Sequence, residues 1–253
     1  MAERYQNYVN GAWTDASSGS VSTSTNPADL SDVIGEFQAS TSGDVNAAIS
    51  AAHDVKESWR RTSSLARGGY LLKAASYLEA NTEEFAQALT RECGKAILEA
   101  RGEIGRAVAL LQYYGVEGSN PDGSVVPSVN PNILLYTNRM PLGVVSLITP
   151  WNFPFAIPIW KMAPALVYGN TIVLKPASAT PHVATLIARM WEAVDLPAGV
   201  FNLVTGSGAA VGNELITNDK VAAISFTGST RIGMNIAAES AQRGKRYQLE
   251  MGG

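Results

Sequence analysis

Between Gly143 and Glu250 five short strand-like runs, most of them apolar, alternate with stretches of helical spacing, and this alternation restricts the architectures open to the chain. The runs are Gly143 to Thr149, Thr171 to Lys175, Val200 to Val204, Ala222 to Phe226 and Arg246 to Glu250. Helical patterns fill the gaps, from about Phe155 to Tyr168, Pro181 to Val194, Ala209 to Thr217 and Thr230 to Gln242. Strands separated by single helices of this length run parallel, because each helix carries the chain back to the starting edge. Ile172-Val173-Leu174 is apolar without alternation, as in a strand covered on both faces. The predicted class is α/β, a doubly wound parallel sheet with five strands in this half of the chain.

The first half is organised differently. Val9-Asn10-Gly11-Ala12-Trp13 reads as a hairpin turning on Asn-Gly. The Ser/Thr-rich run from Ser17 to Thr25 reads as a surface loop. Thr41-Ser42-Gly43-Asp44 can cap a helix whose apolar positions are Val45, Ala48, Ile49 and Ala52. Further helices are expected over Leu65 to Ala80, Thr82 to Cys93 and Ala96 to Tyr114. Gly118 to Pro141 is rich in Pro, Asn and Gly around the strand-like Ile133 to Thr137. It is read as a protruding β excursion able to pair with another subunit. Residues 1–117 and 142–250 then form one domain, with 118–141 bridging outward.

At 253 residues with 46% hydrophobic and 16% charged side chains, the chain has the profile of a soluble globular protein. A net charge of −3 gives no general attraction to nucleic acid or anionic membrane. No run approaches the roughly 20 apolar residues of a membrane span. Phe153 to Tyr168 is the most hydrophobic stretch, but its prolines and Lys161 suit a buried helix better. One cysteine, Cys93, excludes an intramolecular disulfide and favours a reducing compartment; a cytoplasmic protein is expected. His53 and His182 are isolated, so no metal site is expected.

Doubly wound sheets bind ligands beyond the carboxyl ends of their strands. Here those ends are Thr149-Pro150-Trp151-Asn152, Lys175-Pro176-Ala177-Ser178, Thr205-Gly206-Ser207-Gly208, Phe226-Thr227-Gly228-Ser229 and Glu250-Met251-Gly252-Gly253, all polar or glycine-rich. Phe226 to Thr230 is a strand-to-helix turn that can seat a pyrophosphate on backbone N–H groups, or can be a bare turn with a serine cap. No Gly-x-Gly-x-x-Gly follows the first strand of this half. Lys175 ends a buried strand, where it either holds a ribose or phosphate or escapes to solvent.

Thr149-Pro150-Trp151-Asn152-Phe153-Pro154, Gly169 to Pro176, Phe226 to Thr230 and Leu249-Glu250-Met251-Gly252-Gly253 together resemble, in order and spacing, the aldehyde dehydrogenase superfamily. The likeness extends from Tyr8 onward, and is weaker at the finer level of the succinate-semialdehyde and 2-oxoglutarate-semialdehyde branch. It implies a Rossmann-like fold and NAD(P)-dependent oxidation of an aldehyde, possible semialdehydes included, to a carboxylic acid through a cysteine thiohemiacetal and thioester. By the resemblance, Asn152 donates to the developing oxyanion and Glu250 acts as general base on the hydrolytic water. Lys175 and Ser178 face the adenosine ribose. Gly208, Gly212, Gly228 and Ser229 line the adenine and pyrophosphate path, while Thr149, Pro150, Trp151, Phe226 and Thr227 flank the cofactor. It also implies a homodimer or homotetramer of the full-length protein.

The sequence departs from the family's pattern twice. Ser178 stands where a glutamate is commonest; a carboxylate there repels a 2′-phosphate a few ångströms away, so serine leaves Lys175 free to pair with it. NADP is therefore expected to be favoured over NAD. The nucleophilic cysteine of the family belongs to a second, catalytic domain that would begin near residue 251. Cys93, in Thr90-Arg91-Glu92-Cys93-Gly94-Lys95, is read as a structural thiol. The chain alone is expected to be inactive. The competing readings are a truncated dinucleotide-binding module without catalysis and, less suited to Asn152 with Glu250, a reductive relative acting on an acyl phosphate.

Overall fold

The computed structural model describes residues 2–120 and 122–252. In chain order the strands and helices are β1 (Arg4–Tyr5), β2 (Asn7–Val9), β3 (Ala12–Thr14), β4 (Val21–Asn26), β5 (Asp29–Gln38), α1 (Ser42–Arg61), α2 (Ser64–Ala80), α3 (Thr82–Cys93) and α4 (Ile97–Glu117). The ribbon β6 (Val125–Val126) and β7 (Leu135–Tyr136) follows. The second half contains β8 (Val144–Ile148), α5 (Ala156–Val167), β9 (Thr171–Lys175), α6 (Pro181–Ala193), β10 (Phe201–Leu203), α7 (Asn213–Thr217), β11 (Val221–Gly228), α8 (Thr230–Gln242) and β12 (Arg246–Met251).

The central sheet has the order β12-β11-β8-β9-β10-β2-β3. Its first five members are parallel, as the alternation predicts, and the fold is a Rossmann-like doubly wound sheet. Alternate strand residues face opposite layers. Val145, Leu147, Ile172 and Leu174 enter a core built with α2 to α6. Val144, Val173, Ile224 and Phe226 enter the other, with α1, α7 and α8. Among the described residues no helix is long and apolar enough to cross a membrane.

The N-terminal hairpin forms as read, with Asn10 at φ 53° and Gly11 at φ 76° making the turn between β2 and β3. Unforeseen is its docking: β2 pairs antiparallel with β10 and lengthens the sheet to seven strands. Thr41 caps α1 in a reciprocal box with Asp44. The expectation of a loop over Ser17 to Thr25 fails in its second half. Val21 onward is strand, paired antiparallel with β5 from Val21↔Gln38. Its β-branched Val and Thr residues suit a strand, but the Ser and Thr between them read as loop until β5, which begins at Asp29, folds back beside them. The helix expected from Ala209 to Thr217 begins as a π-helical turn, Gly208–Gly212, before α7. The excursion is a two-stranded ribbon of its own, and Val125, Leu134 and Tyr136 on it are exposed.

Candidate functional site

From β8 the chain winds first through β9 and β10, with α5 and α6 on one face, and then returns to the other side of β8 for β11 and β12, with α7 and α8 on the opposite face. The order reverses between β8 and β11. Loops leaving those two strands diverge to opposite faces, and a crevice opens between them. It has a volume of about 640 Å³. Thr149, Pro150, Trp151 and Asn152 line it from β8; Phe226, Thr227, Gly228 and Ser229 from β11; and Glu250, Met251 and Gly252 from β12.

Ser229 caps α8 in an extended conformation, and no side chain caps that helix. Its first-turn N–H groups, at the positive end of the helix dipole, open on the crevice that Ser229 and Ile232 line. Gly228 is sterically required there: a Cβ on it would stand 2.6 Å from Cζ of Phe226.

Asn152 is exposed in the loop after β8. Its Oδ1 accepts the Phe153 N–H at 3.1 Å, which leaves Nδ2 as a donor with no partner among the described residues. Glu250 lies at the end of β12, where its Oε1 accepts from Gln248 Nε2 at 2.7 Å. A second cavity of about 620 Å³ adjoins the crevice, and Thr227 and Glu250 line both. On its far wall Lys161 donates to Ser225 Oγ at 2.9 Å, Gln248 Oε1 at 3.1 Å and the Phe226 carbonyl at 3.3 Å. Burial pushes the Lys161 ammonium down to about 8, against the opposing pull of Glu250. In the sequence Lys161 stands out only as a charge that interrupts an apolar stretch. The available signal was a single cation inside an apolar helix, which must find acceptors.

The remaining predicted residues occupy the neighbouring strand ends and do not line the crevice. Lys175 closes β9, and its carbonyl accepts the Thr149 N–H at 3.2 Å. It is 5% exposed, and burial pushes its ammonium down to about 8. Among the described residues one of its three donors has a partner, the Pro176 carbonyl at 2.8 Å. Ser178 is exposed and donates to the Gly206 carbonyl at 3.2 Å, joining the ends of β9 and β10. Gly208 opens the exposed π-helical turn, and Gly212 is buried at its close. A buried ammonium with spare donors and the buried, unpartnered Thr149 hydroxyl are what an oxygen-rich, anionic nucleotide would satisfy. The residues present fit such a group.

Cys93, remote in sequence, closes α3 against this region: its Sγ donates to the Trp151 carbonyl at 3.4 Å. Burial raises the thiol's pKa, so the sulfur is held as a neutral, half-buried thiol.

This chain belongs to the aldehyde dehydrogenase family, whose model matches residues 13–253. It is 49% identical over 249 residues to an α-ketoglutaric semialdehyde dehydrogenase of Bacillus subtilis, covering 98% of this chain and 51% of that protein. To a succinate-semialdehyde dehydrogenase [NADP(+)] of Escherichia coli it is 39% identical over 250 residues, covering 99% and 52%. Among solved structures, an NADP-dependent enzyme of E. coli superposes with a TM-score of 0.96 at 39% identity, covering 99% of this chain and 52% of that one. An NAD-dependent aldehyde dehydrogenase of Sinorhizobium meliloti does so at 0.96 and 35%, covering 100% and 51%. The chain thus spans about half the length of the relatives it matches.

Proposed function

We propose that this chain is the dinucleotide-binding half of an enzyme that oxidises an aldehyde to a carboxylic acid with NADP or NAD. The observation that carries the reading is the crevice at the β8/β11 reversal, where the Asn152 amide, the Glu250 carboxylate and the uncapped start of α8 converge. The dinucleotide, when bound, supplies the hydride acceptor. Ser229 and the first turn of α8 receive its pyrophosphate, and Lys175 with Ser178 holds the adenosine ribose. Asn152 Nδ2, freed by the Phe153 bond, donates to the oxyanion that develops on the aldehyde oxygen. Glu250, open to the crevice, takes a proton from the hydrolytic water. With no carboxylate at Ser178 and spare donors on Lys175, NADP is the favoured cofactor. The names of the relatives support a semialdehyde, a substrate that also carries a carboxylate.

The 253 residues include one thiol, and it is neutral and committed to the Trp151 carbonyl; this chain by itself is therefore proposed to bind dinucleotide without turning over aldehyde. The ribbon from residue 118 to 141, with its exposed apolar side chains, is the proposed contact of a homodimer or homotetramer. The cytoplasm, which keeps thiols reduced, is the proposed compartment.

Asn152→Ala and Glu250→Gln in the full-length polypeptide test the reading. Asn152→Ala is expected to lower kcat by about 10² to 10³. Glu250→Gln is expected to lower it by about 10² or more, with an unimpaired first-turnover burst of reduced dinucleotide. Near-wild-type turnover in both variants overturns the assignment. An aldehyde panel on the same protein reads out the substrate.

A further inference from the structure

Behind the crevice stands an ion pair that the assigned roles do not use. The Glu103 side chain is fully buried and that of Lys95 is 11% exposed. Glu103 Oε1 accepts the N–H groups of Phe155 and Ala156, each at 2.9 Å. Helix α5 has no side-chain cap of its own, so this carboxylate from α4 is its cap, set at the positive end of its dipole. The other carboxylate oxygen receives Lys95 Nζ. Lys95 then reaches forward, donates to the backbone carbonyl of Asn152 at 2.8 Å, and lies 4.4 Å from the centre of the Phe153 ring.

We propose that Lys95 and Glu103 are positioning residues that aim the Asn152 amide into the crevice. The inference rests on the oxyanion role proposed for Asn152. The peptide unit between Asn152 and Phe153 is held at both polar atoms: its carbonyl by Lys95, its N–H by Asn152 Oδ1. Because the unit is planar, turning the carbonyl also turns the N–H that anchors Oδ1. Freeing the carbonyl therefore frees the amide. Glu103 fixes the other end of the same turn, three residues on. A buried ion pair is costly to desolvate, and replacement by apolar residues of equal volume is often neutral or better. Nothing in the packing of α4 on α5 demands charge here; the polar atoms of the 152–156 turn do.

The test is Lys95→Met in the full-length enzyme, alone and combined with Asn152→Ala. The readouts are the first-turnover burst rate of reduced dinucleotide and the dinucleotide Kd. Lys95→Met is expected to slow the burst about 10-fold or more with Kd held within about twofold, since Lys95 does not line the crevice. In the Asn152→Ala background it is expected to cost nothing further, and Lys95→Arg is expected to recover most of the rate. Glu103→Gln, which keeps an acceptor for α5 but loses the charge, gives a second reading in the same direction. A burst unchanged in Lys95→Met, a loss that multiplies with that of Asn152→Ala, or a parallel loss of dinucleotide binding overturns the proposal. An Asn152→Ala enzyme of normal burst rate instead overturns the oxyanion role, and the positioning role with it.

Discussion

Replacing Lys175 by methionine is expected to stabilise the apo protein while weakening its hold on dinucleotide. The ammonium is 5% exposed, has one acceptor among the described residues, the Pro176 carbonyl, and is held at about 8 by burial. Measured from the ordinary 10.5, the displacement corresponds to about 3 kcal/mol of folding free energy. The sign follows from proton counting. Between pH 8 and 10.5 the unfolded chain binds the proton that the folded chain has released, so stability rises with pH through that window. Below it the whole cost is carried. Methionine retains most of the apolar volume and removes the charge, so at pH 7 Lys175→Met is expected to gain about 2–3 kcal/mol and raise Tm by about 5–10 °C. The gain is expected to fade as pH rises toward 10.5. Thermal and urea melts of both proteins at pH 7 and 10, with titrations of NADP, measure the three effects. A lower Tm at pH 7, a difference that ignores pH, or undiminished NADP affinity would refute the reasoning.

Ser178→Glu is expected to weaken NADP about 10-fold or more relative to NAD, measured as the ratio of the two Kd values; an unmoved ratio removes the argument for NADP. Gly68→Ala is expected to cost about 1–3 kcal/mol in urea melts, because its Cβ would clash with the Gly115 carbonyl oxygen where α2 crosses α4. Thr41→Ala is expected to cost about 1 kcal/mol by removing one half of the capping box with Asp44, and no loss of stability would mean the cap is redundant.

Much of the second half was legible because its signals are local. Strand Thr171–Lys175 and helix Thr230–Gln242 fall where residue spacing puts them. In the first half the same held for α3, bounded by Asn81 and the left-handed Gly94. The strand β4 was not legible: its polar Ser and Thr residues make sense only beside β5 and against Glu92, whose carboxylate accepts from Ser24. Of the site, the strand-end loops were readable because a parallel sheet dictates where ligands go. The roles of Lys161, Lys95 and Glu103 were not, since each acts through a partner 8 to 87 residues away. One hint was present for Glu103, which falls at a helical position between the buried Ala100, Ile104 and Ala107.

By itself the sequence determined the alternation of strands and helices, and through it the parallel sheet and the rim of strand-end residues, because hydrophobic period and capping are properties of neighbouring residues. It also carried the four ordered motifs that mark the family. Only the tertiary structure decided where the strand order reverses, that Glu250 borders two cavities, and that a thiol and an ion pair from α3 and α4 stand against the turn bearing Asn152. Those are contacts between groups distant along the chain, settled by how the layers pack.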